Sequence, residues 1–161
     1  MEGRKMKFPT VTGSNLLRQK LKLPEDFQGE LNLLFIAFQR WHQMEVDSWI
    51  ALAEELEERQ DGLVYYELPV LQNGGSLYKI FLNEGMRAGI PNPKTRERTI
   101  TLYLNKTDFR TALDMTDEEQ IYVLLVDRRG NEIFRTRGPY TPDGEAALRE
   151  ALGQRIMQGI T

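Results

Sequence analysis

The chain's only histidine, His42, stands three residues before Glu45. Residues at i and i+3 of a helix are neighbours, so this imidazole and carboxylate could exchange a proton. Asp47 could then add a third ligand for a cation. Neither chemistry is complete: a hydrolase of this kind needs a nucleophile or a metal, and one histidine with carboxylates falls short of a zinc set. The expectation is no catalytic residue, no metal and no cofactor. Instead Trp41, His42, Met44 and Glu45 are expected to form a surface that meets a polypeptide partner, since an exposed Trp and Met suit adaptable contact. The plain alternative is that Trp41 and Met44 are partly buried packing residues. Near a helix start, the dipole should disfavour the protonated form of His42.

A second constellation is basic. Arg87, Lys94, Arg96 and Arg98, with Arg110, surround Gly89-Ile90-Pro91-Asn92-Pro93. Arginines on a loop can hold a phosphate, an acidic partner or an anionic lipid surface. The bland reading is a solubilising loop, with Arg96 and Arg98 on the outer face of the following strand. Gln72-Asn73-Gly74-Gly75-Ser76 lacks the glycine spacing of a phosphate loop and reads as a turn with a helix cap.

The elements that position these residues follow from periodicity. Leu33-Leu34-Phe35-Ile36-Ala37-Phe38 has the length and composition of a strand buried on both faces. A helix over about 44–60 follows, with Val46, Trp49, Ile50, Ala53 and Leu56 inward and Gly62 as a stop. Trp49 is therefore assigned to the core, and Glu54, Glu55, Glu57 and Glu58 to a solvated face. A buried strand that passes into a helix implies a crossover and a parallel or mixed sheet.

Before this unit, residues 8–23 read as a small hairpin, and 24–29 as a turn. After it, Leu63 to Val70 reads as a strand that should end or lie at an edge at Pro69, which has no N–H. A helix is expected over about 77–88 and a strand over 99–104. A brief helix follows from Asp108 to Leu113, with Thr107 as its cap. Residues 121–126 are another buried strand, turned by Asp127-Arg128-Arg129-Gly130-Asn131-Glu132 into Ile133-Phe134-Arg135. Thr141-Pro142-Asp143 starts a last helix, with Leu148, Leu152 and Ile156 on its inward face.

Composition narrows the function classes. The 161 residues suit one domain, 1–161, with 1–7 charged and expected to fray, and the net charge of −3 makes nonspecific nucleic-acid binding improbable. There is no cysteine, so disulfide exchange, thiol peroxidase chemistry and a Cys-based metal site are excluded on this chain. No apolar h-region and no run of about 18 apolar residues is present, which reads as a soluble chain without a transmembrane segment, cytoplasmic if unprocessed.

Taken in order, the elements are hairpin, strand, helix, strand, helix, strand, short helix, hairpin and helix. With the join Trp41-His42-Gln43-Met44-Glu45 and the ending Val123 to Ile133 through Gly138, the chain resembles the thioredoxin-like superfamily in its peroxiredoxin or TlpA-like form. The resemblance implies an α/β, three-layer α/β/α sandwich with a mixed sheet of about five strands and an N-terminal β-hairpin. It also implies polypeptide recognition at the join, where redox members carry Trp-Cys-x-x-Cys.

Two departures accompany it. His42 and Glu45 stand where the cysteines would be. Asp117-Glu118-Glu119-Gln120-Ile121 lacks the proline that such proteins hold in cis, and a non-proline cis bond costs about 2.5–4 kcal/mol.

Among cysteine-free members the chain looks most like the assembly-factor family of the mitochondrial F-type ATPase and its bacterial relatives. The residues that carry this are Phe8-Pro9, Phe35-Ile36-Ala37-Phe38, Val46-Asp47-Ser48-Trp49, Gly89-Ile90-Pro91, Thr99 to Leu104 and Val126-Asp127-Arg128-Arg129-Gly130. The implied role is a redox-inactive binding module, an assembly factor or chaperone-like partner of a membrane complex, with peripheral membrane contact and without catalysis. The alternative is an anion-binding protein or enzyme that uses His42 and Glu45, or the Arg87–Arg98 cluster.

Overall fold

A computed structural model describes residues 6–73 and 97–160. In chain order the elements are β1 (Val11–Asn15), β2 (Lys20–Leu23), β3 (Leu31–Ala37), a single 3-10 turn (Arg40–His42), α1 (Gln43–Arg59), β4 (Leu63–Gln72), β5 (Ile100–Leu104), α2 (Lys106–Ala112), β6 (Tyr122–Asp127), β7 (Glu132–Arg137) and α3 (Pro142–Ile160). The expected helix over 77–88 and the loop at 89–93 lie outside the described residues.

β3 sets the centre. Its residues Leu31 to Ile36 are all buried, and they alternate between two cores: Leu33 and Phe35 face one, Leu34 and Ile36 the other. A strand that is apolar on both sides needs cover on both sides. One face is covered by α1 and α3 through Val46, Trp49, Leu52, Ala53, Leu56, Leu148 and Leu152. Against the other pack Phe8, Leu23 and Phe27 from the N-terminal segment, and Phe109, Leu113 and Met115 from α2 and its exit. The result is the expected thioredoxin-like α/β architecture with a mixed sheet. β3 runs parallel to β4 and antiparallel to β6, β4 runs parallel to β5, and β6 pairs antiparallel with β7.

The sheet has seven strands, in the order β2-β1-β5-β4-β3-β6-β7, where sequence suggested five plus a hairpin. The N-terminal hairpin is present, but it is continuous with the sheet, because β1 pairs with β5 at Ser14↔Thr101 and Asn15↔Ile100. Gly13 permits this approach: a Cβ there would fall 2.6 Å from Ile100 Cγ2.

Three smaller expectations change. Pro69 neither ends β4 nor puts it at an edge. It is the last residue in register with β3 (Ala37↔Pro69), and it lies between the Glu67↔Thr99 bridge and the run with β5 that begins at Val70↔Leu102, so the missing N–H falls where the β3 pairing ends and the β5 ladder starts. The cap of α2 is Asn105 and not Thr107: its side chain accepts the Asp108 N–H at 2.9 Å, which starts the helix at Lys106. Lys7, expected to fray, bridges Asn131, and the Met6 carbonyl accepts the Glu132 N–H at 2.9 Å. The start of α3 is as expected, with Thr141 Oγ1 accepting the Gly144 N–H at 2.9 Å.

Candidate functional site

The join between β3 and α1 is a tight corner. Phe38 and Gln39 leave the strand, the 3-10 turn brings His42 back beneath them, and α1 departs from Gln43. His42 was expected at the surface and is instead fully buried, with 0% of its surface exposed. Its Nδ1 accepts the Phe38 N–H at 3.0 Å and the Gln39 N–H at 3.3 Å. Those donors fix the neutral ring with its proton on Nε2, because an Nδ1–H would face two other N–H groups. Nε2 is buried and has no hydrogen-bond partner among the described residues. The expected depression of the His42 pKa is present, and its chief cause is burial, opposed by Glu45 and by the backbone and charge of the 118–119 segment.

Glu45 does not pair with His42 either. Its Oε1 accepts the Ile121 N–H at 3.0 Å, tying the first turn of α1 to the loop that precedes β6. That loop, residues 113–121, closes over the corner and is held from several sides. Glu118 Oε1 accepts from Gln39 Nε2 at 2.8 Å and from Lys106 Nζ at 3.0 Å, while Arg110 Nη1 stands 3.4 Å from its Oε2. Lys106 Nζ also donates to the Phe38 carbonyl at 3.0 Å, so one ammonium links α2, the corner and the loop. Asp117 is gripped by Arg137 at 2.7 and 3.2 Å, and this guanidinium holds its carboxyl down at about 2. The Tyr122 hydroxyl donates to the Asp117 carbonyl at 2.9 Å, beneath the Arg137 guanidinium stacked 4.1 Å from its ring centre. Every described peptide bond in the loop is trans, as expected where the proline is missing.

The outer side of the same corner is apolar. Trp41 is 54% exposed and Met44 is 79% exposed, which settles their expected position in favour of surface over packing. Trp41 stands edge-on to the buried imidazole, with 4.3 Å between ring centres. Trp49, further along α1 than Met44, is in the core as expected: 1% exposed, it donates Nε1–H to the Gly138 carbonyl at 2.9 Å and meets Tyr140 edge to face. Gly138 has φ +83°, and a Cβ there would lie 2.7 Å from Gln120 Nε2, so a glycine keeps β7's exit close under the loop.

Of the basic cluster, Arg87, Lys94 and Arg96 lie outside the described residues. Arg98 is not on an open outer face. Its guanidinium forms a two-point pair with Glu57, with Nη2 at 2.7 Å from Oε1, reaches the Tyr65 carbonyl at 3.3 Å and stacks over the Tyr65 ring. Glu57 in turn accepts the Tyr65 N–H at 3.2 Å. The solvated-face reading of the four glutamates therefore fails for Glu57. It holds better for Glu55, whose exposed carboxylate meets Arg149 at 2.8 Å.

Sequence reasoning missed Gln39, Lys106, Glu118 and Arg137 as parts of the site. The one available signal was the acidic run 117–119, noted only for its lack of proline. Glu67 was also missed. It sits beside α1's first turn, receives Gln43 Nε2–H at 3.2 Å, and burial pushes its carboxyl above the usual carboxylate range. Among the described residues no group of three or more metal-ligating side chains is gathered, and no helix is long and apolar enough to cross a membrane.

This frame, a mixed sheet with a strand-to-helix corner facing the loop before the penultimate strand, defines the thioredoxin-like class. Solved structures agree. A member of the Sco family of cytochrome c oxidase assembly proteins, BsSco, superposes with a TM-score of 0.65 at 12% identity, over 94% of this chain and 95% of its own. The pneumococcal exposed lipoprotein thioredoxin Etrx1 from Streptococcus pneumoniae gives 0.58 at 13% identity, over 90% and 99%. A domain of a possible thiol-disulfide isomerase from Cytophaga hutchinsonii gives 0.57 at 14%, over 95% of each chain. Identities this low carry the fold alone. No protein-family model matches the chain, and no curated protein matches it in sequence. The protein is thus a thioredoxin-like fold without cysteine.

Proposed function

We propose that the protein is a redox-inactive, non-enzymatic binding module whose docking surface is the outer side of the corner, centred on Trp41 and Met44. The observation that carries this reading is the exposure of these two large apolar side chains directly above a corner braced by His42, Glu45 and Glu118. An exposed aromatic and a flexible thioether at the tip of a rigid support suit a polypeptide contact. His42 and Glu45 contribute from below by holding the corner and the 113–121 loop in place. The same arrangement speaks against the alternative, since His42 is shut away from solvent with Nδ1 engaged, Glu45 is bonded to the Ile121 N–H, and Arg98 is neutralised by Glu57.

The partner fits an assembly role: the module is read as an assembly factor or chaperone-like partner of a membrane complex such as the F-type ATPase. Support comes from the sequence resemblance and from a fold shared with BsSco, whose family serves the assembly of cytochrome c oxidase, a different complex. The test is cross-linked affinity capture of the tagged protein from gently solubilised cells, beside a Trp41→Ala, Met44→Ala variant. Subunits of one membrane complex captured by the native chain and lost with the variant are the expected result. Equal capture by both moves the surface elsewhere, and capture of no defined complex removes the assembly reading.

A further inference from the structure

A fully buried imidazole with two backbone donors on one nitrogen and, among the described residues, no partner in hydrogen-bond geometry on the other is a poor design for a permanent brace. A hydroxyl oxygen could accept those N–H groups with no second nitrogen to satisfy. What imidazole adds is a proton that can arrive in the mildly acidic range.

In the neutral ring Nδ1 accepts from Phe38 and Gln39. A proton on Nδ1 would turn that acceptor into a donor against two other donors, and would bury a charge whose Nε2–H has no partner in hydrogen-bond geometry among the described residues, with only the nearby backbone of Glu118 and Glu119 to favour that N–H. Protonation therefore works against the turn as the neutral ring holds it.

The charged groups around the ring set how far this goes. Glu45 from α1 and Glu118 from the loop favour the proton. Glu118, however, is already shared with Lys106 and Arg110 of α2, and Lys106 sits on the carbonyl of Phe38 itself. From β7, Arg137 neutralises Asp117. Glu119 meets the ring through its backbone, and Arg40 belongs to the ring's own turn. Because Trp41 packs edge-on against the ring, whatever moves the imidazole moves the exposed indole.

We propose that His42 is a proton-operated latch: neutral, it holds the 38–42 turn under the 113–121 loop and presents Trp41; protonated, it releases the turn and withdraws that presentation. The latch deepens the binding reading by adding its regulation, and rests on that reading only for its consequence, acid-sensitive docking.

Because the chain has one histidine, imidazole NMR of the full-length labelled protein reads the latch without any partner. From about pH 7.5 down to about 4.5 the expected sequence is an Nε2–H tautomer, then a titration with its midpoint below the ordinary 6.5. The Phe38 and Gln39 amides and the Trp41 indole should shift at that same midpoint, while the Trp49 indole and the far-ultraviolet circular dichroism stay unchanged. A His42→Asn variant, which keeps an acceptor but cannot titrate there, should show flat amides across the range.

Three results would overturn the proposal: an Nδ1–H tautomer at neutral pH, Phe38 and Gln39 amides unmoved through the His42 midpoint, or protonation that occurs only with global unfolding. Should the variant not fold, the native titration decides alone. Failure to capture a partner would leave all of these readouts untouched, so the two readings fail separately.

Discussion

The underside and the tip of the β3–α1 corner use their side chains in opposite ways. Underneath, the polar groups are buried or half-buried and bonded within the protein: His42 to the Phe38 and Gln39 N–H groups, Glu45 to the Ile121 N–H, and Glu118 to the side chains of Gln39 and Lys106. On the tip, large apolar groups face water at Trp41 and Met44. Folding alone favours the reverse, since exposing a large apolar side chain forgoes roughly 1.5–3 kcal/mol of burial. The underside is explained by stability. The tip is not, and that asymmetry is why the tip is assigned to binding and the underside to support.

The largest expected effect lies below the corner. Trp49→Ala should destabilise the fold by about 3–5 kcal/mol in denaturant unfolding, the usual loss for a large buried aromatic; a change near zero would mean that α1 is not anchored through Trp49. Next comes His42→Ala, which strands two N–H groups in a buried site and should cost about 1–3 kcal/mol. A neutral result there would place the imidazole on the tip side of the comparison.

Acid sharpens the same boundary through Asp117. Its folded pKa of about 2 lies below the ordinary 3.8, so the Arg137 pairing contributes its full stability above pH 3.8 and loses it as pH falls through about 2. Thermal unfolding followed across that window should decline less steeply in Asp117→Asn than in the native chain. Smallest is the effect at the tip: Trp41→Ala and Met44→Ala should each change stability by no more than about 0.5 kcal/mol, as exposed substitutions do. A large loss from either would show that the tip is packing after all.

Much of this frame was legible in the sequence, and the failures share a physical cause. The two-faced run at Leu33–Phe38, the periodicity of α1 and the cap at Thr141 are local signals, read within one element. The sheet's edge was misjudged at Gly13, whose role appears only when Ile100 lies against it. Pro69 broke a rule that holds for a strand paired on both sides along its length, but at that residue the β3 pairing of β4 ends and the continuous β5 pairing has yet to begin.

The site was the least legible part. Spacing placed His42 and Glu45 side by side, yet their hydrogen bonds run to Phe38 and Gln39 in one case and across 76 residues to Ile121 in the other. Glu57 looked solvated because its partner, Arg98, stands 41 residues away. Periodicity reports which face of an element turns inward, and it is silent on what waits there.

The most direct test of the central claim places a photo-activated cross-linking amino acid at Met44, and in a second sample at Leu17, which is exposed and apolar but lies in the β1–β2 turn. The expected result is a discrete product from position 44 to a subunit of one membrane complex, with none from position 17. Equal labelling from both positions, or a product from 17 alone, would contradict the assignment of the tip as the docking surface.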